Sequence, residues 1–135
     1  MILLDTTILS IVLRRRLLTP ATREVRAALS RLVVTNTALG IPGIVFQEVL
    51  SGVRTETQFA ELRGGLETFR VVLAEKEDHL RAAALFNTCR RRGITATPAD
   101  CLIAAQAISS GATLWTLDHD FERIARASGL KLYTP

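Results

Sequence analysis

Short apolar runs alternate along this chain with longer stretches in which apolar residues recur every three or four positions. The apolar runs predict β-strands at 2–4, 38–41, 69–73, 113–117 and 130–133. The stretches with helical spacing predict α-helices at 7–13, 22–32, 44–53, 57–68, 75–92, 98–110 and 118–127. This alternation favours an α/β fold with a mainly parallel sheet. The 135 residues suit one domain, which we expect to span 1–135.

Two of the predicted helices carry end signals in the sequence. Gly93 follows the helix 75–92, where a C-terminal cap is expected, and Thr97 and Pro98 suit the N-cap and first helical positions of the helix 98–110. That second helix is apolar nearly all round, which is typical of a buried helix. On the helix 75–92 we expect the apolar side to consist of Leu80, Ala83, Ala84 and Phe86.

The charge of the chain favours a nucleic-acid partner without establishing one. The formal net charge is +4, and 15 of the 17 basic residues are arginines, because only Lys76 and Lys131 are lysines. Guanidinium groups suit phosphate, although an arginine-rich composition can also reflect the genome. The basic runs at 14–16 and 90–92 are more often solvated helix ends than binding sites.

Membrane, export and zinc signals are weak. No stretch reaches the roughly 18 to 20 uninterrupted apolar residues of a membrane span, and Asp5 interrupts the apolar start that a signal peptide would need. We therefore expect a cytoplasmic protein with no membrane partner. Cys89 and Cys101 are not in a Cys-x-x-Cys pair and have no histidine at ligand spacing, which favours two buried, reduced thiols.

Two aspartates follow predicted strands. Asp5 comes directly after the strand 2–4, and Asp118 directly after the strand 113–117. Because parallel strands end at one edge of a sheet, both should lie where ligands bind in such folds. Each also has a simpler explanation, since an aspartate between a strand and a helix is a good N-cap.

Two further acids lie on helices. Glu48 shares a helix face with Ile44, Val45, Ser51 and Gly52, where a carboxylate is costly without a partner or a metal ion. The alternative is an acid at the rim of the core that reaches water. Asp100 opens the apolar helix 98–110, where it could complement the helix dipole and form a capping box with Thr97, or face the end of the sheet.

Clustered carboxylates repel one another unless cations neutralise them. Oxygen-rich sites suit Mg²⁺ or Mn²⁺, which can activate water and stabilise the charge on a scissile phosphate. A basic surface around such a site fits a nucleic-acid backbone. Spacing alone makes this a hypothesis.

At these residues the sequence resembles the PIN domain family and, within it, the VapC toxins of bacterial toxin–antitoxin pairs. The resemblance covers the whole chain and rests on four blocks in the family's order and spacing. These are Ile2-Leu3-Leu4-Asp5-Thr6, Gln47-Glu48-Val49-Leu50-Ser51-Gly52, Pro98-Ala99-Asp100-Cys101-Leu102-Ile103-Ala104-Ala105 and Leu114-Trp115-Thr116-Leu117-Asp118-His119-Asp120-Phe121.

The resemblance implies a three-layer α/β/α PIN-like fold and an endoribonuclease that hydrolyses RNA phosphodiester bonds with Mg²⁺ or Mn²⁺. By position it implies four catalytic acids, Asp5, Glu48, Asp100 and Asp118, of which we expect Asp5, Asp100 and Asp118 to contact the metal. It assigns supporting roles to Thr6, Thr116 and Asp120. A cognate VapB-type antitoxin is the implied inhibitor, and homodimerisation is usual in the family.

Two alternatives stay open. A phosphatase of the haloacid-dehalogenase type would use Asp5 as a nucleophile, but it usually carries a second aspartate two residues later, where this chain has Thr7, and it needs a lysine in the site. A PIN-like binding module would act by complex formation alone, and the intact acids argue against it.

Overall fold

The computed structural model describes residues 1–14 and 19–135, and confirms an α/β fold built on one five-stranded sheet. Arg15 and Arg16 of the basic run at 14–16 lie outside the described residues. The strands are β1 (Ile2–Leu4), β2 (Leu39–Pro42), β3 (Arg70–Val72), β4 (Thr113–Trp115) and β5 (Lys131–Leu132). The helices are α1 (Thr6–Leu13), α2 (Pro20–Val34), α3 (Gly43–Leu50), α4 (Glu56–Leu66), α5 (Lys76–Arg91), α6 (Pro98–Ser109) and α7 (Asp120–Arg126).

All strand pairs in the sheet are parallel, and the strand order is β3-β2-β1-β4-β5. The central strand β1 is buried along its whole length, as its uninterrupted Ile-Leu-Leu sequence requires of a strand covered on both faces. Ile2 pairs with Leu39 on one side and with Thr113 on the other. The chain thus builds β2 and β3 on one side of β1 before crossing to β4 and β5 on the other side.

Helices cover both faces of the sheet. Right-handed crossovers place α1 to α4 on one face and α5 to α7 on the other. In the packing, α1 contacts α2 and α3, and α6 contacts α5 and α7, while α3 also contacts α6. Six residues of α6 are buried, which confirms the prediction from its apolar sequence.

The predicted apolar side of α5 was wrong. Leu80 is 55% exposed, Ala83 and Ala84 are exposed, and only Phe86 is half-buried. The buried face consists of Asp78, Ala82, Leu85 and Cys89. The hydropathy pattern does not predict this buried face, because its first residue, Asp78, is an acid.

The buried Asp78 carboxylate joins the start of α5 to the end of α6. It accepts a hydrogen bond from the Ser109 hydroxyl at 2.5 Å through Oδ1 and one from the Glu75 amide at 2.9 Å through Oδ2. The bonds from Ser109 and then from Glu75 hold the pKa of Asp78 below its usual value, against the effect of burial. The two helices are therefore antiparallel, and the N-terminus of α6 lies beside the C-terminal end of α5.

Replacing Asp78 by Asn should lower the free energy of unfolding at pH 7 by about 1–3 kcal/mol, because a buried, charge-assisted pair of hydrogen bonds is weakened. Since the folded-state pKa is lowered, this stabilisation is present above the unfolded-state value near 3.8 and is lost as the pH falls through the folded-state pKa. Urea unfolding between pH 2 and pH 7 should therefore show the two proteins converging in acid. Ser109→Ala should behave similarly and the exposed Ser30→Ala should not; a pH-independent gap would contradict this account.

The membrane and cysteine predictions concern the lengths of the helices and the burial of Cys89 and Cys101. None of their helices is long and apolar enough to cross a membrane. Cys89 and Cys101 are both buried and unbridged, as predicted. Burial raises the pKa of the Cys101 thiol to about 11, aided by the neighbouring Cys89, so the protonated form is favoured.

Candidate active site

The strand order defines where the site should lie. The chain leaves β1 towards one half of the sheet and later enters β4 in the other half, so the connections after β1 and β4 run in opposite directions. Such a switch point opens a crevice beyond the carboxyl ends of the two strands. The Asp5 amide donates to the Trp115 carbonyl at 3.1 Å, which brings the ends of β1 and β4 together at this crevice.

Asp5 occupies the N-cap position of α1, yet its side chain does not cap the helix. The backbone carbonyl of Asp5 accepts from the amides of Ile8 and Leu9 instead. The carboxylate, on a residue only 5% exposed, accepts hydrogen bonds through Oδ2 from the Thr7 hydroxyl at 3.1 Å and the Thr116 hydroxyl at 2.7 Å. The capping explanation of Asp5 is therefore wrong, and the buried carboxylate is held by two hydroxyls from different elements.

Two threonine hydroxyls tie the loop after β4 to the start of α1. Thr116 donates to Asp5 and accepts from the Asp118 amide at 3.0 Å, so one hydroxyl links the two aspartates. Thr7 donates to Asp5 and accepts from the Leu117 amide at 3.0 Å. Thr7 was missed from the sequence, where it served only to argue against a phosphatase; a hydroxyl two residues after a strand-end aspartate was the available signal.

Asp118 does cap the turn that leads into α7. Its Oδ1 accepts from the Asp120 amide at 2.9 Å, and its carbonyl accepts from the Phe121 amide. β4 ends at Trp115, so Asp118 lies three residues beyond the strand rather than directly after it. The carboxylate of Asp120 lies 3.9 Å from Arg123, and no contact joins it to the other acids among the described residues.

Asp100 forms the predicted capping box. Its amide donates to the Thr97 hydroxyl at 3.1 Å, and its Oδ2 accepts from the Thr97 amide at 3.3 Å. Burial raises the pKa of Asp100, the bonds to Thr97 oppose that rise, and the nearby negative charges of Asp118 and Asp5 add to it. Asp118 and Asp5 are therefore near enough to Asp100 for their charges to act on its carboxylate.

The reasoning that placed Glu48 on a costly apolar face was wrong. The buried side of α3 consists of Val45, Val49 and Leu50, and Glu48 is exposed. Its Oε2 accepts a hydrogen bond from the Thr6 hydroxyl at 3.0 Å. That bond, not burial, holds Glu48 beside the first residue of α1, at the rim of the crevice.

The donor set fits a hard divalent cation. Asp5 and Asp100 engage only Oδ2 with protein donors, and Asp118 only Oδ1, so within residues 1–14 and 19–135 each aspartate keeps one carboxylate oxygen free of such bonds. Free carboxylate oxygens with uncompensated charge are what Mg²⁺ and Mn²⁺ prefer. As the described side chains stand, no group of three His, Cys, Asp or Glu residues is arranged to hold a metal ion. The site is suited to a cation in chemistry, but its ligands would have to draw together.

Asp100→Asn should raise the free energy of unfolding at neutral pH in EDTA, because the amide keeps an acceptor for the Thr97 amide while removing the repelled charge. The folded-state pKa of Asp100 is raised, so its charge begins to cost stability as the pH rises through the unfolded-state value near 3.8 and costs most above the folded-state pKa. Urea unfolding at pH 3, 5 and 7 should show no difference in acid and a more stable variant at pH 7. A variant less stable at pH 7 would contradict the repulsion.

The two lysines of the chain offer no support for a phosphatase. Lys76 begins α5, at the end of that helix remote from Asp100, and Lys131 begins β5, at the amino edge of the sheet. Neither lysine forms a hydrogen bond or an ion pair with Asp5 within residues 1–14 and 19–135.

The sequence matches a known domain family over most of its length. A model of the PIN domain matches residues 2–127, and the chain belongs to the PIN domain family. It is 37% identical over 91 residues to Ribonuclease VapC11 of Mycobacterium tuberculosis and to VapC ribonuclease Mb1587 of Mycobacterium bovis. The match covers 64% of this chain and 66% of each relative.

Solved structures share the fold over nearly the whole chain. VapBC2 from Rickettsia felis, bound to a DNA fragment from its promoter, has a TM-score of 0.79 at 23% identity, covering 98% of this chain and 96% of that one. FitAcB from Neisseria gonorrhoeae has a TM-score of 0.77 at 22% identity, covering 99% and 97%. A toxin–antitoxin complex from Klebsiella pneumoniae has a TM-score of 0.68 at 26% identity, covering 90% of each chain. These likenesses confirm the PIN-like α/β/α architecture.

Proposed function

We propose that this chain is an endoribonuclease toxin that hydrolyses RNA phosphodiester bonds with Mg²⁺ or Mn²⁺ and is inhibited by a cognate VapB-type antitoxin. The observation that supports the proposal is the Thr116 hydroxyl that links Asp5 to Asp118 at the switch point. Within residues 1–14 and 19–135, Asp5, Asp100 and Asp118 each keep one carboxylate oxygen free of protein hydrogen bonds. The family, and the ribonuclease names of the two mycobacterial relatives, support RNA as the substrate.

In this proposal Asp5, Asp100 and Asp118 hold the metal. When bound, the ion supplies the positive charge that activates water and stabilises the scissile phosphate. Asp5 is the most firmly positioned ligand, because Thr7 and Thr116 fix its carboxylate from two sides. Capping hydrogen bonds orient the carboxylates of Asp100 and Asp118. The fold, rather than a bound metal ion, therefore sets the direction of the second oxygen of each carboxylate.

Glu48 has a different role in the proposal. It is exposed and held by the Thr6 hydroxyl, so its carboxylate can orient the attacking water or bind the metal from the rim. Thr6 therefore acts by positioning Glu48, and Thr116 by positioning Asp5. Asp120 is the weakest of the predicted supporting residues, since Arg123 is the nearest charged partner of its carboxylate.

The partners follow from the same comparisons and remain proposals for this chain. Two of the structural neighbours are described as VapBC2 and as a toxin–antitoxin complex, which supports an antitoxin partner. The net charge of +4 favours association with RNA. We also propose that the chain forms a homodimer and acts in the cytoplasm.

Induced expression in bacterial cells tests the function. We expect growth arrest and new RNA ends at a small set of sites, mapped by sequencing of 5′ ends. Asp118→Asn is the matched control, because its amide oxygen can still accept from the Asp120 amide while one metal ligand is lost. New ends that are equally abundant with the variant, or none with folded wild-type protein, would refute the nuclease.

A further inference from the structure

A second concave site lies beyond the rim formed by Glu48. It is a cavity of about 760 Å³ between the end of α1, the α3–α4 connection and the first turns of α4. Its volume is in the range of ligand-binding clefts. None of the acids at the switch point lines it.

Two arginines are carried to this cavity by well-defined local structure. Arg54 lies between Gly52, whose φ of 79° makes a turn that favours glycine, and Thr55, whose hydroxyl caps α4 by accepting from the Gln58 amide at 3.1 Å. The connection is therefore short and its path is fixed.

Arg14 follows the last residue of α1. Its amide donates to the Ser10 carbonyl, and its own carbonyl accepts from the Arg26 guanidinium at 3.4 Å. The same guanidinium donates to the Ile11 carbonyl at 2.8 Å. Arg26 thus satisfies the C-terminal end of α1 and holds the backbone from which Arg14 projects.

The lining of the cavity combines positive charge with an apolar floor. Arg14 and Arg54 form no ion pair among the described residues, and Glu61 is the one acid in the lining. The floor consists of the half-buried side chains of Leu13, Val53 and Leu62. α4 lies close against the end of α1, since a Cβ atom on Gly65 would be 2.8 Å from Leu13 Cδ2.

The cavity lies at the C-terminal ends of α1 and α3, whereas Thr6 of the proposed active site begins α1. The two helices are in contact, and the Thr6–Glu48 bond joins them at the rim of the crevice. From Thr6 to Leu13 the axis of α1 rises about 10 Å. A single RNA strand spans that distance in a few nucleotides.

We infer that this cavity binds a nucleotide of the RNA substrate a few positions from the scissile phosphate. Arg14 and Arg54 contact the backbone phosphates on either side of that nucleotide, and its base lies on the floor formed by Leu13, Val53 and Leu62. This inference rests on the proposed nuclease function. It adds a substrate subsite that explains how a strand could be positioned past Glu48.

The test is RNA binding in the Asp100→Asn background, in which cleavage is stopped. Fluorescence anisotropy with labelled RNA oligonucleotides of increasing length is measured over a range of salt concentrations in Mg²⁺. Arg14→Gln with Arg54→Gln should reduce the slope of log K against log salt by about 1.4, since each phosphate contact with a single strand contributes about 0.7. Binding at 0.1 M salt should weaken on the order of tenfold, and the gain in affinity at the length that reaches the cavity should disappear.

The control is Arg31→Gln with Arg70→Gln. This pair removes the same charge at the end of α2 and the start of β3, towards the amino edge of the sheet. Equal salt slopes for the two double variants, with unchanged melting temperatures, would overturn the subsite. Binding of an acidic peptide, but not of RNA, that depends on Arg14 and Arg54 would overturn it as well. Cleavage by the wild type is scored separately: cleavage with equal slopes refutes the subsite alone, whereas its absence refutes the nuclease.

Discussion

Asp5→Asn is expected to lower kcat/KM for RNA cleavage by about 10³-fold or more. A metal ion contributes several kcal/mol to stabilising the charge of the transition state, and 1.36 kcal/mol corresponds to a factor of ten in rate. Asp5 is the acid held most firmly, by Thr7 and Thr116, so its loss cannot be compensated by a neighbour. The asparagine oxygen can still accept from both hydroxyls, so the fold should be kept.

Cleavage of one defined RNA at a fixed Mg²⁺ concentration measures this effect, with circular dichroism to verify folding. Glu24→Gln on α2 is the matched control, since it removes one negative charge at an exposed position. It should retain wild-type activity. An Asp5→Asn protein with activity within threefold of the wild type would show that Asp5 is not a metal ligand.

Thr116→Val is expected to cost 10- to 100-fold in activity, the usual range for a group that orients a metal ligand. The hydroxyl donates to Asp5 at 2.7 Å and accepts from the Asp118 amide, so one deletion loosens two proposed ligands. Because Thr116 acts through the ligands, the loss should appear as a higher Mg²⁺ concentration for half-maximal activity. A purely structural role would not move that concentration.

Two variants sharpen this test. Thr116→Ser restores the hydroxyl and should restore most of the activity and the original Mg²⁺ requirement. Thr113→Val makes the same change of side chain within β4, and in the described part of the chain the Thr113 hydroxyl bonds to none of the acids. If Thr116→Val needs no more Mg²⁺ than Thr113→Val, the link from Thr116 to the metal site is wrong.

The sequence located the sheet and the strand-end aspartates because these depend on local pattern. The run Ile2-Leu3-Leu4 is a short apolar run of the kind that favours a buried strand, and an acid directly after such a strand lies at the edge of the sheet. The apolar residues of α6 likewise predicted its burial, and Thr97 its start. In each case the residues of one helix or strand are enough to predict its burial or its first residue, without knowledge of the elements that pack against it.

The errors arose where a distant partner decides the outcome. Asp78 is buried on α5 because Ser109, 31 residues away, hydrogen-bonds to it, and no hydropathy pattern contains that partner. Glu48 was expected on a buried face, yet α3 buries Val45, Val49 and Leu50 instead. Within residues 1–14 and 19–135, the hydrogen bond from Thr6 is the one that holds the Glu48 carboxylate. The link from Thr116 to Asp5 joins residues 111 positions apart, so its geometry could come only from the fold.

The measurement that tests the central claim most directly is cleavage of total cellular RNA by the purified protein, with Mg²⁺ or Mn²⁺ and with EDTA, beside the Asp100→Asn variant. The account predicts discrete RNA products with the wild type in metal, none in EDTA, and none with the variant, although the variant is folded and at least as stable. Products that persist in EDTA or with the variant would show that the three aspartates do not form a metal-dependent catalytic site.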